Sequence, residues 1–161
     1  MPTAARKSLK PLPQLGFEQP AERVSDGEQA ARHANARAGR ATALLEDYVE
    51  LIADLVAENG EARPTDIARR LGVSHPTAIK SIARLKALGL AHSRPYRSVF
   101  LTEEGQALAV RVRARHRVVV GLLVAVGVPA DVAETDAEGI EHHVSDTCLQ
   151  AFERFLAARA G

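Results

Sequence analysis

Cysteine is almost absent from this sequence. Cys148 is the single cysteine among 161 residues, so no disulfide can form within the chain and no cluster of thiolates can assemble. A lone thiol is typical of proteins of the reducing cytoplasm. We therefore expect a cytoplasmic protein.

Aromatic residues and long apolar runs are also scarce. Aromatic residues make up 4% of the chain and tryptophan is missing, so Leu, Val, Ile and Ala must form the core, which favours helices over sheets. No apolar run reaches the roughly 18–20 residues of a membrane span. The basic N-terminus lacks the apolar stretch of a secretory signal. We expect a mainly α-helical protein with no membrane partner.

The chain has little net charge, but its charges are unevenly placed. The formal total is +1. Residues 62–101 carry eight Lys or Arg and one Asp, whereas residues 130–160 carry seven Asp or Glu and two Arg. A basic block beside an acidic block indicates that one part of the chain holds an anion and another a cation.

The N-terminal quarter lacks sustained apolar periodicity. Pro2, Pro11, Pro13 and Pro20 interrupt it, and we predict a disordered tail over residues 1–41. A short helix over residues 28–40 is the one ordered element expected in this tail. The folded part is predicted to begin near Thr42.

Three helices are predicted after Thr42. Gly60 ends the first helix, and Pro64 lies in the first turn of the second. After a turn at Gly72, Ser74 caps a third helix that runs to Leu88. The buried positions expected in the third helix are Ile79, Ile82, Leu85 and Leu88.

A hairpin and three more helices complete the predicted order. Residues 90–101 contain two short extended runs around a basic turn, which is typical of a β-hairpin. Thr102 caps a long fourth helix that runs to about Val126. A fifth helix is expected over residues 130–143, and Ser145 caps a sixth.

The order helix, helix, tight turn, helix and basic hairpin is typical of a winged helix-turn-helix. The major groove of DNA admits one α-helix, which a second helix braces against the backbone. The third helix is the predicted reader and the hairpin is the wing. Because two-fold operators favour dimeric readers, we expect a homodimer on double-stranded operator DNA. The predicted DNA-binding residues are Ser74, His75, Thr77, Ala78, Lys80, Arg84, Arg94, Tyr96 and Arg97.

An acidic segment with adjacent histidines lies in the C-terminal half. On a helix, Glu138, Glu141 and His142 share one face, and carboxylates stacked there repel unless a cation or solvent relieves the charge. The residues alone leave a metal site and a solvated acidic face as alternatives. Asp47 and Glu50 likewise suit the wet side of an amphipathic first helix, and His116 alone suits a surface histidine.

Several segments together resemble one family. They are Asp-Tyr-Val-Glu at 47–50, Val-Ser-His-Pro-Thr at 73–77, Val-Phe-Leu-Thr-Glu-Glu-Gly at 99–105, Arg-His at 115–116 and Asp-Ala-Glu-Gly-Ile-Glu-His-His at 136–143. In this order and spacing they resemble the manganese-responsive (MntR-type) regulators of the diphtheria toxin repressor family. The resemblance covers residues 42–161. It implies a winged helix domain over residues 42–102, and a linker helix with a metal-binding and dimerisation domain over residues 103–161.

The resemblance also implies a ligand set and two close metal ions per subunit. Iron-sensing relatives have Met at the position of Asp47 and Cys at the position of Glu138, whereas this chain has oxygen donors at both, which suit Mn²⁺. The implied metal ligands are Asp47, Glu50, His116, Glu138, Glu141 and His142.

The expected function is a metal-dependent switch of transcription. Mn²⁺ is expected to link the first helix to the fourth and fifth helices and so to fix the spacing of the two reading helices, with repression of manganese-uptake genes as the implied outcome. A winged helix regulator that responds to Fe²⁺ or to an organic ligand is the alternative. Enzymatic activity and an organic substrate are not expected, because neither metallohydrolase motif is present and six protein ligands leave no open position.

Overall fold

The computed structural model describes residues 25–93 and 98–159. It is mainly helical with a small two-stranded hairpin, as predicted. In chain order the elements are α1 (Asp26–Asn59), α2 (Pro64–Arg70), α3 (His75–Ala87), β1 (Ala91–Ser93), β2 (Val99–Leu101), α4 (Glu103–Ala125), α5 (Ala130–Ile140), a 3-10 turn (Glu141–His143) and α6 (Asp146–Arg159).

Helix α1 begins 16 residues before the predicted start at Thr42. Ser25 accepts a hydrogen bond from the backbone N–H of Glu28, and the Glu28 carboxylate accepts one from the backbone N–H of Ser25. This capping box starts a stretch that is rich in alanine and contains no proline before Pro64. The short helix expected over residues 28–40 is confirmed, but it is the first part of the long α1, so the boundary between tail and folded part predicted near Thr42 was wrong. The remaining part of the predicted tail, residues 1–24, lies outside the described residues.

The C-terminal half of α1 forms one wall of the core that it shares with α2, α3 and the hairpin. Tyr48, Ile52 and Leu55 are fully buried there. In α3 the buried positions are Ala78, Ile82 and Leu85, whereas Ile79 and Leu88 are 44% and 54% exposed. The predicted stripe was thus partly wrong, because alanine fits where α3 lies closest to its neighbours.

The hairpin is antiparallel, with Ala91 opposite Leu101 and Ser93 opposite Val99. The backbone N–H of Val99 donates to the carbonyl oxygen of Ala62 at 2.8 Å, which ties the hairpin to the segment before α2. The predicted basic turn, residues 94–97, lies outside the described residues.

Helix α4 connects the two halves of the structure because it packs against α1, α5 and α6. The predicted fifth helix ends early: α5 stops at Ile140, and residues 141–143 form the 3-10 turn. No helix within the described ranges is both long and apolar enough to cross a membrane.

Gly105 lies in the first turn of α4, against the segment between α3 and β1. A Cβ atom at this position would overlap the carbonyl oxygen of Leu90, which already accepts a hydrogen bond from the backbone N–H of Thr102 at 3.1 Å. Glycine is therefore required where α4 meets this segment.

We expect Gly105→Ala to lower the free energy of unfolding by about 1–3 kcal/mol, because the added methyl group must displace backbone. Chemical denaturation of both proteins measures the difference. Gly27→Ala is the matched control, since nothing lies within 4 Å of its added Cβ and alanine is the better helix former. Equal losses in the two variants would contradict the close approach at Gly105.

Candidate metal centre

The middle of α1 carries acidic side chains toward the C-terminal half of the chain. Glu46 and Glu50 are one helical turn apart, and Asp47 lies between them along the chain. The neighbouring Tyr48 and Val49 are fully buried, so packing fixes the rotation of α1 and hence the direction of these carboxylates.

His142 lies in the 3-10 turn with both ring nitrogens facing carboxylates of α1. Its Nε2 is 2.9 Å from Asp47 Oδ1, and its Nδ1 is 2.7 Å from Glu46 Oε2. Hydrogen bonds to Asp47 and Glu46 raise the pKa of His142 to about 10. Without metal, the His142 imidazolium is therefore itself the cation that joins α1 to the 3-10 turn.

His116 of α4 forms a second imidazole-carboxylate cluster. Its Nδ1 is 2.5 Å from Glu141 Oε2 and 3.7 Å from Glu138 Oε1, and its Nε2 is 2.9 Å from Glu134 Oε2. Burial lowers the pKa of His116, but the hydrogen bonds to Glu134 and Glu141 outweigh this effect, so its pKa is raised. The Glu141 side chain is only 1% exposed, and burial raises its pKa.

Glu50 lies in a cleft between α1 and the end of α5. Asp47, Asp54, Glu138 and His142 line the same cleft. Burial raises the pKa of Glu50; the nearby Arg113 offsets part of this, while Asp54 and Glu138 add to it through their negative charge. The charges of Glu50 and Glu138 thus act on each other, although the two residues are far apart in the sequence.

The six predicted ligands lie in two neighbouring clusters, one around His142 and one around His116, and Glu141 Oε1 is 3.6 Å from His142 Nε2 between them. Glu141 and His142 do so from the 3-10 turn and not from a continued α5, which corrects the predicted helical face. The imidazoles and carboxylates are hydrogen-bonded to one another. In this arrangement, no group of three or more His, Cys, Asp or Glu within the described residues has a geometry that could hold an ion.

The chemistry of this donor set fits a divalent cation. Four carboxylates and two imidazoles make up the two clusters, and oxygen-rich donor sets with imidazole suit ions such as Mn²⁺. Burial is the main cause of the raised pKa of Glu50, and the negative charges of Asp54 and Glu138 add to it. A cation would replace the imidazolium proton as the positive partner of these carboxylates.

Two carboxylates that contact the predicted histidine ligands were not among the residues predicted from the sequence. Glu46 is 6% exposed and contacts His142, and Glu134 contacts His116. Each lies four residues before a predicted ligand, Glu50 and Glu138 respectively, and therefore on the same helical face. This spacing was the signal that could have identified them. His143 follows His142 in the chain and lies close to Gly39 of α1. A Cβ atom added to Gly39 would be 3.5 Å from His143 Nδ1.

The predicted DNA-facing residues of α3 lie mostly at its surface. Ser74, His75, Thr77, Lys80 and Arg84 are exposed. The Ser74 hydroxyl caps α3 by accepting from the backbone N–H of Thr77.

Ala78 is fully buried. The prediction that it approaches base edges was therefore wrong, because it belongs to the apolar face of α3. The predicted wing residues Arg94, Tyr96 and Arg97 lie outside the described residues.

Two known domain families match the chain next to each other. The N-terminal DNA binding domain of iron dependent repressors matches residues 41–99. The metal binding and dimerisation domain of iron dependent repressors matches residues 102–159.

Known relatives and solved structures agree with these matches. The transcriptional regulator MntR of Escherichia coli O157:H7 is 47% identical over 132 residues, which are 82% of this chain and 85% of that protein. MntR of Salmonella typhimurium is 53% identical over 112 residues, covering 70% and 71% of the two chains. A solved structure of a manganese-dependent transcriptional repressor in complex with manganese has 31% identity and a TM-score of 0.62 over 70% of this chain.

This chain spans 52% of the length of that solved structure. The two bacterial regulators, in contrast, are matched over most of their length. The chain therefore belongs to the iron-dependent (diphtheria toxin) repressor family, in its MntR-type branch, and is a metal-dependent DNA-binding transcriptional regulator and not an enzyme.

Proposed function

We propose that this chain is a manganese sensor that represses manganese-uptake genes when the ion is bound. The observation that carries the proposal is the convergence of Asp47 and Glu50 from α1 with His116 from α4 and with the acidic end of α5. The names of the relatives, which are MntR regulators, support manganese as the ion.

The metal site consists of two close Mn²⁺ positions per subunit, held by the six ligands Asp47, Glu50, His116, Glu138, Glu141 and His142. When bound, divalent metal supplies the positive charge that lets these carboxylates share one site. Oxygen donors at Asp47 and Glu138 suit Mn²⁺ better than softer sulfur ligands at these positions would.

Helix α1 links the metal site to the DNA-binding surface. It contributes Asp47 and Glu50 to the site and packs Ile52 and Leu55 into the core that supports α3. Fixing α1 against α4 therefore fixes the reading helix relative to the rest of the subunit. We expect metal and DNA to favour each other's binding by about 1–3 kcal/mol.

The active species is a cytoplasmic homodimer on double-stranded operator DNA. Helix α6 has no buried residue within its described range, and Phe155 is 39% exposed, which leaves apolar surface for a second copy. Ser74, His75 and Thr77 reach base edges from the start of α3. Lys80 and Arg84, with Arg94, Tyr96 and Arg97 of the wing, contact the DNA backbone.

Removing a ligand is expected to abolish the metal response. In Glu138→Ala and His142→Ala, Mn²⁺ should no longer strengthen operator binding, because the link between α1 and α5 loses a donor. An anisotropy titration of a manganese-transporter promoter with Mn²⁺, Fe²⁺, Zn²⁺ or chelator measures this, and light scattering checks that the variants remain dimeric. Retained Mn²⁺ dependence in either variant would contradict the assigned site.

Arg84→Ala separates DNA binding from metal binding. Arg84 is exposed on α3 and takes no part in the carboxylate cluster, so operator affinity should fall by about 10- to 150-fold, as for one lost charge-assisted contact. Calorimetry with Mn²⁺ should give the same metal affinity as the parent chain. A loss of metal binding would show that the two surfaces are not independent.

Glu46 is expected to orient His142. A histidine ligand ordinarily donates its second ring N–H to a carboxylate, and loss of that partner costs about 10- to 100-fold in metal affinity. Glu46→Ala should show such a loss by Mn²⁺ calorimetry, while Glu46→Gln retains an acceptor oxygen and should keep most of the affinity. If both variants bind Mn²⁺ as the parent does, Glu46 has no orienting role.

A further inference from the structure

Arg113 of α4 places a fixed positive charge beside the acidic face of α1. Its Nε is 3.6 Å from Glu50 Oε1, and its Nη2 donates a hydrogen bond to Asp54 Oδ1. Glu50 and Asp54 are one helical turn apart, so the guanidinium spans two carboxylates of the same helix. This ion pair connects α4 to α1 without metal.

Both partners of Arg113 line the cleft of the proposed metal site. Glu50 is a proposed ligand and its side chain is 27% exposed, whereas Asp54 is outside the ligand set. The Arg113 guanidinium therefore neutralises a carboxylate that metal binding also needs. By contrast, the exposed ion pair between Arg69 and Asp66 on α2 uses no proposed ligand.

We propose that Arg113 sets the metal affinity of this chain by acting as a built-in competitor for Glu50. This inference rests on the proposed metal site. Arg113 forms an ion pair with Glu50. This ion pair must separate before the Glu50 carboxylate can bind a metal ion. The result is a higher metal threshold than the six ligands alone would give.

The hydrogen bond to Asp54 keeps the Arg113 guanidinium beside the proposed metal site. Because the guanidinium is a planar fork with several donors, it can remain hydrogen-bonded to Asp54 when Glu50 turns away. Its charge then stays close to the site and repels a cation there, in addition to the cost of separating it from Glu50. Both effects weaken metal binding, so loss of the Arg113 charge should strengthen it.

The test is a Mn²⁺ titration of the full chain after removal of metal with chelator, with free Mn²⁺ followed by electron paramagnetic resonance. Arg113→Gln and Arg113→Met both remove the charge, and we expect Mn²⁺ affinity to rise about 5- to 50-fold in each. Arg113→Lys keeps the positive charge but lacks the planar fork, so its Mn²⁺ affinity should lie between those of the parent chain and the neutral variants. Arg69→Gln removes an exposed charge elsewhere and should change affinity by less than about twofold.

Failure of the inference is distinguishable from failure of the proposed function. If the parent chain binds no Mn²⁺, the metal site itself is refuted. If the parent chain binds Mn²⁺ but the neutral variants bind it equally or more weakly, Arg113 is not a competitor and the metal site stands. Circular dichroism shows whether either neutral variant is misfolded. If one is, the Mn²⁺ affinity of the other neutral variant tests the inference.

Discussion

Repulsion among carboxylates is the constraint around which this structure is arranged. Helices α1, α4 and α5 and the 3-10 turn bring four proposed ligand carboxylates and two imidazoles into neighbouring clusters. Such a cluster is unfavourable unless positive charge accompanies it. Within the described residues that charge comes from Arg113 and from His142, whose pKa is raised to about 10. These two cations are the partners that a metal ion at the proposed site would have to replace or outcompete.

The carboxylate cluster and the DNA-binding half share helix α1. The same helix that carries Asp47 and Glu50 also carries Ile52 and Leu55, which are buried in the core beneath α3. No flexible joint separates the two sets, since α1 is continuous from Asp26 to Asn59. In the proposed function, this shared helix is what connects a change in how α1 meets α4 to the position of α3. Family membership agrees with this division, because the two matching domains meet between residues 99 and 102.

Much of the fold was predictable because its signals are local. Gly60, Pro64, Ser74 and Thr102 mark helix ends that the structure reproduces. The errors arose where tertiary packing decides. The face of α3 that carries Ala78, Ile82 and Leu85 is buried, whereas Ile79 is exposed. Helix α5 ends at Ile140, and Glu141 and His142 meet their partners from a 3-10 turn. The candidate ligands could be named only through resemblance, because spacing along the chain does not reveal which separated acids meet. Arg113 could not be found this way, since its role depends on the distance between two helices.

The early start of α1 has a mechanical consequence. Asp26 lies 21 residues before Asp47, so at 1.5 Å per residue the helix projects about 31 Å beyond the carboxylate cluster. A tilt of about 5° in a straight helix of this length would move its N-terminal tip by about 3 Å. The length of α1 thus converts a small change in helix direction into a displacement comparable to the width of a side chain.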